Sequence, residues 1–161
     1  MKILIVGNGA RESALALKLK DDSRISKLYF AKGTVTTAEL GQNVYDESVE
    51  GLRDFAIKER IDLTIVGPEA PLVEGIVDEF KKHGLKIFGP EKRAAELEGS
   101  KAFSKKFMQT NNIKTAKAVV FDAYHDAIEY VRNQKFPIVI KASGLAGGKG
   151  VVIKKKITKK K

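Results

Sequence analysis

Three times in this chain a short, mostly apolar run stops at a glycine and a helical pattern takes over. The runs are Ile3-Leu4-Ile5-Val6 before Gly7, Leu63-Thr64-Ile65-Val66 before Gly67-Pro68, and Leu85-Lys86-Ile87-Phe88 before Gly89-Pro90. Runs of that length, bounded by turn residues, read as buried strands. Leu28-Tyr29-Phe30-Ala31, closed by Gly33, adds another. Between the runs, residues 11–19, 49–61 and 72–83 carry apolar side chains at helical spacing, with Leu52, Phe55, Ala56 and Ile61 on one face of the second. Strands alternating with helices assemble as parallel β-α-β units, so the sequence predicts an α/β fold with a doubly wound parallel sheet. In such a sheet the loops leaving the carboxyl ends of the strands gather on one edge, where ligands bind. Residues 7–12, 67–72 and 89–93 are therefore expected to converge.

The pattern changes after Arg93. Residues 94–109 are helix-rich, Asn111-Asn112 is a turn, and residues 118–121 and 138–141 read as strands separated by a helix over 124–133. The expected division is a first domain of residues 1–99, a second unit of 100–152, and a disordered Lys-rich tail of 153–161. Six of the last eight residues are lysine, against a net charge of +10 for the whole chain. A terminal block of like charge stays solvated or acts as an electrostatic anchor. Because so much of the charge sits there, no nucleic-acid partner is expected.

The apolar and charged fractions, 43% and 31%, are those of an ordinary globular chain. No run of eighteen apolar residues is present, so no membrane span is expected. The apolar stretch at the N-terminus is too short for a signal peptide. The absence of cysteine excludes disulfides, thiolate metal sites and thiol nucleophiles. A cytoplasmic monomer is expected. His83 and His125 have no partners at metal-ligand spacing, so solvated helix positions are expected for both and no metal ligands are assigned.

Three loops carry candidate chemistry. Gly7-Asn8-Gly9-Ala10-Arg11-Glu12 follows a strand and opens a helix, where glycines allow close backbone approach and the helix start offers N–H groups. A dinucleotide fingerprint would need a glycine at Glu12 and an acid near Ala31-Lys32-Gly33, so a nicotinamide site is disfavoured. A plain strand-to-helix turn and a site for a small phosphorylated or amine-bearing ligand both stay open. Gly67-Pro68-Glu69-Ala70-Pro71-Leu72 brackets one carboxylate with two prolines, which suits either a fixed ligand contact or a helix start. Lys141-Ala142-Ser143-Gly144-Leu145-Ala146-Gly147-Gly148-Lys149-Gly150 ends an apolar strand with two lysines and four glycines. Backbone N–H groups of such a loop fold over phosphate oxygens while ammonium groups add charge. Gly150 stands where a Walker A loop needs a hydroxyl, so that motif is excluded; a Gly-rich hinge is the plain alternative.

Taken together these residues resemble the phosphoribosylamine–glycine ligase family of the ATP-grasp group. The resemblance is carried by residues 1–12, by I-D-L-T-I-V-G-P-E-A-P-L-V-E-G at 61–75, by 85–90, by L-E-G-S-K-A-F at 97–103, and by 137–151. It implies a Rossmann-like pre-ATP-grasp domain followed by an ATP-grasp small lobe. It also implies the reaction ATP + 5-phosphoribosylamine + glycine → ADP + phosphate + glycinamide ribonucleotide, in purine biosynthesis, with ATP and magnesium as cofactors. By resemblance, Lys105, Lys141, Gly144, Gly147, Gly148, Lys149 and Gly150 serve the nucleotide. Gly7, Asn8, Gly9, Arg11, Glu12, Gly67, Pro68, Glu69 and Pro71 serve the phosphoribosylamine side.

The sequence departs from the family pattern at three places: Ser13 where histidine is usual, Ser143 where aspartate is usual, and Ala31-Lys32-Gly33-Thr34 for Ala-Pro-Gly-Asn. Nothing after Val152 supplies the acidic and amide groups that hold magnesium in the family. An incomplete ATP-grasp lobe, inactive alone, is therefore expected. The alternative is a non-catalytic ligand-binding module whose basic tail docks an acidic partner.

Overall fold

The computed structural model describes residues 1–155. From the N-terminus the order is β1 (Lys2–Val6), α1 (Ala10–Leu19), β2 (Lys27–Ala31), α2 (Val35–Ala38) and β3 (Gln42–Val44). Then come α3 (Val49–Glu59), β4 (Leu63–Val66), α4 (Glu69–Glu74), α5 (Ile76–Lys82) and β5 (Ile87–Phe88). The chain continues as α6 (Lys92–Gly99), α7 (Lys101–Thr110), α8 (Tyr124–Arg132), β6 (Ile138–Lys141) and β7 (Val151–Lys154). It forms two units, Met1–Ala95 and Glu96–Lys161, divided inside α6.

The first unit is the expected parallel sheet. Its strand order is β3-β2-β1-β4-β5, every neighbouring pair parallel. Alternation along β1 explains why both faces are covered. Ile3 and Ile5 pack with Ala16, Leu28 and Phe30 on one side, whereas Leu4 and Val6 pack with Tyr29, Leu52, Ala56, Ile76, Val77 and Phe80 on the other. Successive strand residues point to opposite faces, so α1 closes one layer and α3 with α5 closes the other. Ser48 caps α3, its hydroxyl accepting from the Gly51 N–H at 3.1 Å.

Several elements differ from the sequence reading. The helix expected over 72–83 is two helices, because Gly75 turns left-handed at φ +102. α2 and β3 were not anticipated. α2 consists of Val, Thr and Ala, but Thr34 and Thr37 cap it reciprocally, and the Thr37 hydroxyl donates to Asn43 Oδ1 at 2.9 Å. β3 is a short polar edge strand, so it lacks the apolar run by which a strand is recognised.

The second unit holds α7, α8 and the antiparallel pair β6–β7, in register from Ile138↔Lys154 to Lys141↔Val151. The strand expected over 118–121 is absent; those residues are irregular, and Val119 and Val120 are each 52% exposed. An apolar run becomes a strand only where another strand supplies ladder partners, and β6 takes β7 instead. β7 extends to Lys154, so Ile153 and Lys154 of the presumed tail are paired strand residues. Residues 156–161 of that tail lie outside the described residues.

Candidate functional site

β1 and β4 lie side by side, yet the chain runs from β1 toward β2 and β3 on one flank and from β4 toward β5 on the other. This reversal is the switch point of an open α/β sheet, the place on its edge where ligands of such sheets bind. Because the strands are parallel, the loops after β1, β4 and β5 share one edge. Residues 7–12, 67–72 and 89–93, expected to converge, therefore leave the sheet on that edge.

The loop after β1 is pinned by the Gly7 N–H, which donates to the Ala31 carbonyl at 3.2 Å. The loop after β4 is pinned by the Gly67 N–H, which donates to Val6 at 3.0 Å. A side chain then ties one loop to the other: the Arg11 guanidinium donates to the Gly67 carbonyl. Glu12 is only 4% exposed, and its Oε2 accepts from the Gly9 N–H at 2.6 Å. This is half of a capping box, with Glu12 at N3 reaching back to the N-cap Gly9. Arg11 and Glu12 thus have partners within the protein. Ser13 donates to the Gly9 carbonyl at 3.2 Å, and Asn8 is exposed.

In the second loop Pro68 is the N-cap of α4, with Glu69 in its first turn and Pro71 two residues further. A proline there loses no helical hydrogen bond, and the carboxylate sits at the favourable end of the helix. In the third loop Glu91 accepts from Lys81 at 2.6 Å, and Asp78 accepts the Lys92 N–H at 2.7 Å.

The second unit carries the residues assigned to the nucleotide. The β6–β7 loop spans residues 142–150 and is closed by the Ala142 N–H donating to Gly150 at 2.8 Å. Within it the Lys149 N–H donates to Ala146 at 2.8 Å across Gly147 and Gly148, both at positive φ. That tight turn needs glycine at its two central positions. Lys141 and Lys149 are exposed, as are Gly144, Gly147 and Gly148. Lys105 is engaged otherwise: its ammonium donates to Thr115 Oγ1 at 2.6 Å and to the Ala116 carbonyl at 2.9 Å. The sequence reading missed Lys101, which donates to the Gly144 carbonyl at 2.9 Å.

Ser143 has a defined job. Its carbonyl accepts the Lys101 N–H at 2.9 Å and its hydroxyl accepts the Ala102 N–H at 3.1 Å. Ser100 takes the Phe103 N–H at 3.2 Å. The first-turn donors of α7 are therefore satisfied by the protein, and they hold the start of the Gly-rich loop. An aspartate at 143 would accept the same N–H with a full charge, so serine keeps the contact in a weaker form.

Among the described residues, no group of three or more His, Cys, Asp or Glu side chains is placed to hold a metal ion. No helix among them is long and apolar enough to cross a membrane.

Comparison with known proteins agrees with this layout. The chain is 54% identical over 155 residues to a phosphoribosylamine–glycine ligase of Clostridium acetobutylicum, an alignment covering 95% of this chain and 37% of that protein. It is 50% identical over 157 residues to the ligase of Escherichia coli K12, with the same coverage. The crystal structure of phosphoribosylamine–glycine ligase from Thermotoga maritima superposes with a TM-score of 0.74 at 29% identity, covering 97% of this chain and 36% of that one. N5-carboxyaminoimidazole ribonucleotide synthetase from the same organism shares the fold, with a TM-score of 0.73 at 21% identity over 97% of this chain and 41% of that one. The chain thus spans little more than a third of the length of these relatives. Residues 1–98 match the phosphoribosylglycinamide synthetase N domain and residues 99–160 match its ATP-grasp (A) domain, so this chain belongs to the phosphoribosylglycinamide synthetase family.

Proposed function

We propose that this chain provides the phosphoribosylamine side and the first nucleotide-binding elements of a phosphoribosylamine–glycine ligase. The observation that carries this reading is the match to both family domains in series, at about half identity to named ligases. The sheet edge at the β1 and β4 loops takes 5-phosphoribosylamine, with Glu69 and the exposed Asn8 among its contacts. The Gly147-Gly148 turn, Lys141 and Lys149 take the phosphates of ATP, since exposed backbone donors and two ammonium groups suit an anionic chain of oxygens. A cytoplasmic setting and a monomeric state go with this reading.

The described residues do not fit a magnesium site built by the protein, because no three or more of their His, Cys, Asp or Glu side chains come together. No step is therefore routed through the metal, and this 161-residue polypeptide is proposed to bind without ligating. The test is calorimetric titration with ATP and with ribose 5-phosphate separately, beside an assay for glycinamide ribonucleotide. Binding of both without product is expected. Product formed by this chain alone overturns the inactivity, and absence of both binding events overturns the site assignment.

One observation favours a second reading. Residues 1–95 carry 15 Lys and Arg against 15 Asp and Glu, while residues 96–161 carry 15 against 5, so the whole net charge of +10 lies in the second unit. A binding module that docks an acidic partner through that unit would show association falling steeply with salt.

A further inference from the structure

Three glycines at the switch point surround one buried carboxylate. A Cβ on Gly67 would lie 1.7 Å from Glu12 Oε1, and one on Gly9 would lie 2.9 Å from Oε2. A Cβ on Gly7 would lie 2.9 Å from Glu12 Cδ and 2.8 Å from the Pro68 ring. Backbone conformation explains only one of the three. Gly7 is at φ +118, but Gly9 is at φ −89 and Gly67 is not among the positive-φ positions. Alanine is conformationally acceptable at both of the latter, so what excludes it is the space the carboxylate fills.

Gly67 is held from two directions. Its carbonyl accepts from Arg11, and its Cα faces Glu12. Two consecutive residues of α1 therefore grip the loop after β4, two positions before Glu69. We propose that Glu12 is a positioning residue: its carboxylate, seated in a socket of Gly7, Gly9 and Gly67, braces the loops after β1 and β4 and so sets where Glu69 stands. This rests on reading that sheet edge as the phosphoribosylamine side. In this role Glu12 acts by its shape and by accepting the Gly9 N–H, and its negative charge does not touch the ligand.

The socket and the binding role are tested by separate measurements on the full chain. Thermal unfolding of Gly67→Ala, Glu12→Ala and the double variant forms a cycle. In the wild-type background Gly67→Ala is expected to lower Tm by about 5 °C, and in the Glu12→Ala background by less than about 2 °C. Equal losses in both backgrounds overturn the socket. Binding of ribose 5-phosphate, read by calorimetry, is expected to weaken roughly tenfold or more in Glu12→Ala and to return to within about threefold of wild type in Glu12→Gln, which keeps the shape and the acceptor oxygen. Equal weakening by Gln and Ala overturns the positioning role and makes the charge itself a ligand contact. Failure of the wild-type chain to bind ribose 5-phosphate removes the substrate-side reading instead, and the unfolding cycle still decides whether the brace exists.

Discussion

In β1 the run Ile3-Leu4-Ile5-Val6 is at most 5% exposed, whereas in β7 the run Val151-Val152-Ile153 is 43–64% exposed. The residue types are nearly the same and the outcomes opposite. β1 lies between two neighbouring strands and under helices on both faces, and β7 has one antiparallel neighbour. The contrast extends to whole units. All nineteen buried apolar residues of the described chain fall within residues 3–95; α7 and α8 bury none. Branched apolar sequence makes a strand wherever a ladder partner exists, but it becomes core only where other layers cover it.

The largest expected consequence is in local stability. Native-state hydrogen exchange is predicted to protect the amides of β1, β2 and β4 at least about a thousandfold more than those of β6, β7 and α8, a gap of ~4 kcal/mol. Uniform protection across residues 2–154 would break the comparison. It would mean that the second unit is held by something other than burial of its own apolar side chains.

Substitution sharpens the same contrast at single residues. Leu4→Ala empties a site that is fully buried at the centre of the sheet, and it is expected to cost about 3–5 kcal/mol in chemical denaturation. Val152→Ala removes a side chain that is 48% exposed and should stay within about 0.5 kcal/mol. Comparable losses at both positions would show that β7 is covered in solution.

How legible this was in the sequence follows the same division. In the first unit the β1, β2 and β4 runs and the spacing of α1 and α3 were enough, because apolar pattern and burial coincide there. The alternation of strand and helix then placed the loops after β1, β4 and β5 on one edge, as a parallel sheet requires. α2 and β3 escaped because they are held by Thr34, Thr37 and Asn43, whose hydrogen bonds leave no periodic trace. In the second unit the pattern misled at 118–121 and missed β7, since pairing depends on a partner that no single run reveals. At the candidate site the sequence placed the residues on elements but did not show their contacts within the protein. Arg11, Glu12 and Lys105 were picked out as ligand contacts, but each has a partner inside the protein, and those contacts span 3 to 56 residues. Lys101 lay within the matched L-E-G-S-K-A-F stretch, but its contact with Gly144 spans 43 residues and left no local pattern.

A smaller effect than that of Leu4→Ala is expected at the contact that ties the helices of the first unit together. Arg53 on α3 donates to Glu79 on α5, with both side chains about one-fifth exposed. That hydrogen bond holds the Glu79 carboxyl below the ordinary carboxylate value of 4.5, against the partial burial that opposes it. A carboxylate whose pKa is depressed by folding contributes stability that is fully present above its unfolded value. The contribution is lost as pH falls through the lower folded value. Wild-type Tm is therefore predicted to exceed that of Glu79→Gln at neutral pH, and the two curves should converge as pH falls through the depressed folded value. The difference should be smaller than that produced by Leu4→Ala, because the pair is reached by solvent and screened by salt. A gap that stays constant from neutral to acid pH would mean that the charge on Glu79 contributes nothing, and that the two helices are joined by their apolar contacts with Leu52, Ala56, Ile76 and Phe80.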